Sequence, residues 1–380
     1  MSSSGYDRYR PPDPPRRRRL RTEGGQRRFR GARPDARGDG SREVPMVDDA
    51  QFSSYYGRHI VKAPPWDEKI STYMFLGGLA GGSGLLALGA QLTGRPHLRR
   101  NSRVAALLAL GGGTVALVAD LGRPERFHHM LRTFKPSSPM NLGSWLLGAF
   151  GTSIGIAAVN EIDRGTNSRL PLGPLRRLLR WLEAPAGVAG GIFAAPVASY
   201  TAVLLGDTAV PTWHASRDHL PYVFVSSAAM AAGGMAMVTT PVDQARPARV
   251  LAGMGVLGEG AALWLMRRAM HPAEREPLET GGPGRKMRYA ERLALAGGLG
   301  ALAAGRSRAI AAIGGCALLA ASAFARFGMM EAGINSTKDP RHTIEPQKAR
   351  LAQRRAAGVW DDSITTAGEP PASGQQSPGS

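Results

Sequence analysis

Residues 70–94 read ISTYMFLGGLAGGSGLLALGAQLTG, a stretch without one acidic or basic side chain. A helix rises about 1.5 Å per residue and a bilayer core is about 30 Å thick, so roughly 20 such residues cross it. The stretch is long enough to span a membrane. Its Gly77/Gly81 and Gly78/Gly82 pairs have the small-xxx-small spacing that lets helices approach closely in lipid. A glycine-rich phosphate loop would instead need a preceding strand and a following Lys-Ser/Thr, and neither is present. Gly111, Gly112 and Gly113 further along invite the same packing reading.

Working outward, six more stretches lack charge: Val104–Ala119, Pro136–Asn160, Ala184–Gly206, His219–Val242, Leu293–Gly305 and Ala309–Ala325. Another, Val250–Met266, is broken only by Glu259. Leu293–Gly305 is the shortest and needs its flanks to span. Soluble helices keep a polar face, so a soluble protein rarely repeats such runs. The expected fold is all-α: a polytopic membrane protein with eight transmembrane helices over residues 66–331. It is flanked by a disordered basic arm at 1–65 and a disordered tail at 332–380, both too poor in apolar residues to offset the entropy of ordering. Between the third and fourth spans, LPLGPLRRLLRWLE places leucines opposite Arg176, Arg177 and Arg180 and reads as a helix lying along the membrane surface.

The formal charge, 48 basic against 29 acidic residues or +19, would suit a nucleic-acid binder if it formed one patch. It does not. Residues 1–65 carry +7, and most of the rest lies in loops between spans, so no nucleic-acid partner is expected and membrane lipids are. The Arg16–Arg19 run lies too far before the first apolar stretch for an export signal, and no signal peptide is expected. An even helix count puts both tails on one face. The Arg-rich arm, with Arg58, Lys62, Lys69, Arg326, Lys338 and Arg341 read as flanking charges, places that face in the cytoplasm of a cell membrane. One cysteine, Cys316, leaves no way to build an iron–sulfur cluster from this chain, and no histidine falls mid-span to hold a haem. A redox role would have to borrow its centre.

Ionisable groups within spans are costly and are candidates for function. Glu259 lies near the middle of its run, where it could serve a proton path or simply pair with a neighbouring helix. Asp120 and Glu161 close the second and third runs, where carboxylates are often merely solvated. Tyr73 and Tyr200 are neutral donors inside spans, and a buried tyrosine commonly only satisfies its hydroxyl. The densest polar feature is ADLGRPERFHHMLRTFKPSSPMNLGSW, residues 119–145. Its Arg123, Arg126, Arg132 and Lys135, with His128 and His129, could dock an acidic partner or hold lipid phosphates.

DLGRPERFHHML (120–131) followed by SPMNLGSW (138–145) resembles the signature of the polysulfide-reductase membrane-anchor family, the NrfD-like proteins. YMFLGGLAGGS (73–83) is similar to that family's first-helix motif, and SYTAVLL (199–205) with PTWH (211–214) to its fourth-helix tyrosine segment. The resemblance spans about residues 66–330. Ala202 departs from a glycine common after Tyr-Thr, which bears on packing and not on the tyrosine. The resemblance implies a haem-free subunit exchanging electrons between membrane quinone (menaquinone or ubiquinone) and a ferredoxin-like iron–sulfur subunit, itself joined to a molybdopterin catalytic subunit. Relatives of this kind serve formate dehydrogenases and polysulfide or nitrite reductases. It further implies that Tyr200 and Asp120 act at the quinone, and that Tyr73 stands where relatives place a polar quinone contact of another residue type. Glu259 and Glu161 would continue a proton path, and Arg123, Arg126, His128, His129 and Lys135 would dock the partner. Two other classes stay open on residues alone: an ion or proton transporter centred on Glu259, and a passive scaffold.

Overall fold

A computed structural model of the chain describes residues 60–358. The expected arm therefore lies almost wholly outside the described residues, as do residues 359–380. The described chain is helical: α1 Glu68–Leu92, α2 Pro96–Asp120, a 3-10 segment Pro124–Leu131, α3 Pro139–Gly165, α4 Leu175–Gly206, α5 Pro211–Ser216, α6 Leu220–Thr239, α7 Arg246–Ala269, α8 Pro272–Glu279, α9 Gly281–Ala303, α10 Arg308–Ser336 and α11 Arg341–Ala356. Seven of these (α1, α2, α3, α4, α6, α7 and α10) are long and apolar enough to cross a membrane. The protein is a multi-pass membrane protein. The expected eighth span corresponds to α9, whose 23 residues suffice in length but whose first half carries Arg285, Lys286, Arg288, Glu291 and Arg292.

Successive long helices run antiparallel, so one end of the bundle gathers the start of α1, the end of α2, the start of α3, the end of α4, and α5, α8 and α11. The turns after α1, α3, α6 and α9 gather at the opposite end, called the far end below. Helix α1 is central, packed on α2, α4, α6 and α10. Its glycines explain how. A Cβ on Gly81 would stand 2.8 Å from the Ala194 carbonyl oxygen of α4, and one on Gly82 would stand 2.4 Å from that of Ala228 on α6. Bare backbone on two sides of α1 admits two neighbours at once, gaining dispersion contacts where lipid supplies no hydrophobic drive. Gly111, by contrast, faces open space, so the packing reading fails there.

Other expectations need correction as well. The stretch from 175 is not a separate surface helix but the first turns of a continuous α4, which carries Pro185 and Pro196 within it. Those turns are tied to α3 instead: Arg176 and Arg180 pair with Asp163, and Asn160 Nδ2 donates to the Leu179 carbonyl. The segment from 332 is not wholly a disordered tail, since α10 runs on to Ser336 and α11 follows. Its anchors are polar: His342 Nδ1 lies 2.7 Å from the Ala273 carbonyl, and Arg341 and Arg350 pair with Glu276 and Glu274. Finally, Arg326 does not flank the membrane. It is fully buried inside the bundle, ten residues before α10 ends.

The far end is closed by ions. Glu161 Oε1 accepts from Arg99 Nε at 2.7 Å and Arg103 Nη1 at 2.9 Å, and its Oε2 lies 3.0 Å from Arg164. Arg103, 1% exposed, also donates to Glu183 at 2.6 Å and to Gln91 Oε1 at 2.6 Å. This network joins α1, α2, α3 and α4. The solvated carboxylate expected at the end of α3 is in fact enclosed, because arginines on neighbouring helices satisfy its oxygens.

Candidate functional site

The candidate site lies at the end opposite this network. Trp66 stacks on Trp213 of α5, ring centroids 5.6 Å apart, and Trp213 donates its Nε1 proton to the Met329 carbonyl of α10 at 2.8 Å. That contact fixes where α1 begins. The next residue, Asp67, caps α1, accepting from the Lys69 amide at 2.7 Å and from Lys69 Nζ at 2.8 Å. Its carboxyl is also within hydrogen-bonding reach of the Asp120 side chain, the last residue of α2. Burial pushes the Asp67 carboxyl up, but hydrogen bonding to Lys69 and Asp120 outweighs it and holds the group below the usual carboxylate range. Residue 67 is thus a site member that motif reasoning passed over. Its signal was a helix-cap aspartate, which has a purely local reading.

Tyr73, one and a half turns into α1, is buried against Gly113 of α2, where a Cβ would come 3.7 Å from its ring. Its hydroxyl has no hydrogen-bond partner among the described residues. Tyr200 of α4 lies nearby. The Tyr200 hydroxyl donates to the Pro139 carbonyl at 2.6 Å, and its ring fills the space a side chain on Gly143 would need, the Cβ there falling 2.0 Å from Cζ. Tyr200 is therefore seated in the first turn of α3 by a glycine. Three of the residues singled out from sequence, Tyr73, Asp120 and Tyr200, come together at this end.

The 121–138 connection starts at Asp120 and ends beside Pro139, so it spans from one site residue to the partner of another. Asn141 latches it, donating to the Met130 and Thr133 carbonyls at 2.9 and 2.8 Å and accepting from the Lys135 amide at 2.7 Å. Trp145 adds a bond to Thr133. The latched segment turns Arg123, Arg126, His128, His129 and Lys135 outward, and none of the three cations among them makes an ion pair among the described residues. Phe127 and Phe134 are exposed beside them. A basic face with bare aromatics is the composition of an interface, not of a loop shaped for water.

Glu259 and Glu161 are not part of this cluster. Glu161 belongs to the far-end network. Glu259, 3% exposed on α7, faces Arg326 of α10 and the Ser227 side chain of α6. Arg326 donates to the Phe224 carbonyl at 2.6 Å and lies over the Phe224 ring at 3.6 Å, while a Cβ on Gly78 would stand 3.0 Å from its Nη2. Among the described residues Glu259 Oε1 and Arg326 Nε and Nη1 are buried without hydrogen-bond partners, and Ser227 and Ser322 bond each other alongside at 2.9 Å. Arg326 was missed because its charge closes an apolar run. Among the described residues no group of three His, Cys, Asp or Glu side chains gathers as a metal site.

The family model of the polysulphide reductase NrfD proteins matches residues 59–266, more than half the chain. The chain belongs to the NrfD family. Among characterised NrfD-like proteins it is similar to a polysulfide reductase subunit of Wolinella succinogenes, 27% identical over 149 residues. That match covers 37% of this chain and 47% of the relative, so the chain spans about half the length of the relative it matches. The NrfD match takes in α1 to most of α7, and with them the Asp67–Asp120–Tyr73–Tyr200 end and Glu259.

Proposed function

We propose that this NrfD protein is the quinone-reactive membrane anchor of an oxidoreductase. It would pass electrons between the quinone pool of a cell membrane and a ferredoxin-like iron–sulfur subunit of a molybdopterin enzyme, with both tails cytoplasmic. The observation that carries the reading is the shared location of the site and the loop. Residues able to handle a quinone's oxygens lie at one end of the bundle, beside a latched loop whose basic, aromatic face has no ion-pair partner among the described residues.

A bound quinol supplies two electrons and two protons, and the residues present fit its headgroup. Tyr73 has a free O–H to donate to a carbonyl oxygen. Tyr200 has spent its proton on Pro139, so its oxygen is the better acceptor for a hydroxyl. The Asp120 carboxyl can take a proton and hand it to Asp67, which is half exposed beside Lys69 and opens toward water. Glu259 and Arg326 would serve a second route, since unsatisfied buried groups of opposite charge invite water and protons. Glu161, its oxygens taken by three arginines, reads better as a clamp.

The test is quinol oxidation by the assembled complex carrying Tyr73→Phe, Tyr200→Phe or Asp120→Asn. Loss of activity with subunits still co-purifying supports the reading, and full activity in all three removes it. The buried Glu259–Arg326 pair favours a second reading, an ion or proton transporter. Proton flux by the isolated chain in liposomes, abolished by Glu259→Gln and indifferent to quinol, would select it.

A further inference from the structure

At the far end a cleft of about 440 Å3 opens between α1 and α7, lined by Leu85, Leu86, Val250 and Met254 and headed by Arg95 and Arg246. Arg95 is the residue before α2 and Arg246 the first residue of α7, so both sit where spans meet the membrane surface. Neither makes an ion pair or side-chain hydrogen bond among the described residues, and Arg95 Nε is buried without a partner. Among the described residues no carboxylate lines the cleft. Several other arginines of this end do have partners, although Arg249 Nε is likewise buried without one. Arg99, Arg103, Arg164, Arg176 and Arg180 are paired with Glu or Asp, and Arg308 donates to carbonyls of Met237 and Thr240.

Two guanidinium groups of the same charge, one exposed and one partly buried, share one cleft with no counter-ion among the described residues, and that arrangement favours an anion from outside. The walls below them say what kind. Val250 and Met254 are more than half exposed, and a Cβ on Gly89 would meet nothing within 4 Å, so the space continues as an apolar slot toward the lipid. Free phosphate has no use for that slot. A quinone head carries no charge to answer the arginines.

We propose that this cleft binds an anionic glycerophospholipid. Its phosphodiester lies between Arg95 and Arg246, and one acyl chain runs over Gly89 along α1 and α7. The lipid would fill a seam where α1 and α7 barely touch, completing the bundle at the end away from the quinone site.

The test is native mass spectrometry of the purified protein, with any subunits that accompany it, released from nanodiscs of phosphatidylcholine mixed with phosphatidylglycerol. The wild type should retain phosphatidylglycerol over phosphatidylcholine by about thirtyfold, each arginine giving roughly a factor of five. Arg95→Gln/Arg246→Gln should abolish that preference, while Arg177→Gln, an exposed far-end arginine outside the cleft, should keep it. Gly89→Leu fills the slot and leaves the charges, and should lower retention as well. It also keeps the proposal exposed if the double variant fails to fold. Equal retention of the two lipids by the wild type, retention unchanged in both cleft variants, or displacement by millimolar inorganic phosphate alone would each overturn it.

Discussion

Replacing Arg326 by methionine isolates the energetics of the buried polar pair. The guanidinium donates at 2.6 Å to the Phe224 carbonyl and lies 3.6 Å above that ring. A hydrogen bond from a charged group contributes about 1.5–3 kcal/mol, and a desolvated cation–π contact about 2 kcal/mol. Methionine recovers part of this through packing. The larger effect is that Glu259, 3% exposed and with Oε1 already unpartnered, loses its buried counter-charge. Removing one member of a directly bonded buried pair costs about 3–5 kcal/mol; Glu259 and Arg326 face each other without a direct bond, so the low end of that range is the expected destabilisation. Glu259→Gln/Arg326→Met should then recover much of the loss, because two uncharged groups need no mutual compensation. Unfolding in detergent, followed by the fluorescence of the six tryptophans, measures all three variants and yields a coupling of about 2 kcal/mol or more. If the double variant is simply as unstable as the two singles combined, the groups do not sense each other and the polar core is no pair. The same proteins carry a functional readout: the membrane voltage generated per quinol oxidised should stay low in the double variant even where stability returns.

Other expectations can be checked alongside. Arg103→Met should lower stability by about 3 kcal/mol in the same assay, less than a wholly orphaned pair, because Arg99 and Arg164 still serve Glu161 and Glu183. Gly82→Leu should prevent accumulation of folded protein in membranes, since even a Cβ would meet the Ala228 carbonyl at 2.4 Å. Gly143→Ala should dislodge the Tyr200 ring and depress quinol turnover, with thermal unfolding of the complex separating that from loss of fold. Arg123→Glu/Arg126→Glu/Lys135→Glu should release the iron–sulfur subunit on a pull-down at low salt, and wild-type binding should weaken as salt rises.

Much of this was readable in the chain because membrane spans announce themselves by length and absence of charge. That Asp120 and Tyr200 lie at one end of the bundle follows from counting: α2 and α4 both return to the end where α1 begins. Arg326 shows where such counting fails. The charge-free run stops at Ala325, but the helix does not, and only the neighbours on α6 and α7 reveal that the arginine points inward. Asp67 was hidden for another reason, since its contact with Asp120 joins residues 53 positions apart. Residues 341–356 look like a polar tail on composition, and their order comes from ion pairs with α8 that no periodicity encodes. The first turns of α4 have an amphipathic pattern equally suited to lipid; Asp163 and Asn160 on α3 decide between the two placements.

The ring of arginine and glutamate that joins α1 to α4 also shapes the traffic of charge. With that end stoppered, this half of the bundle is a cup and not a pipe, filled and emptied through one mouth. A quinol oxidised at the mouth would release both its protons at that face, and none of them would cross the bundle through this half. Any contribution to a transmembrane gradient would have to pass through the other half, where Glu259 and Arg326 stand, so the voltage generated per turnover is a direct gauge of that pair.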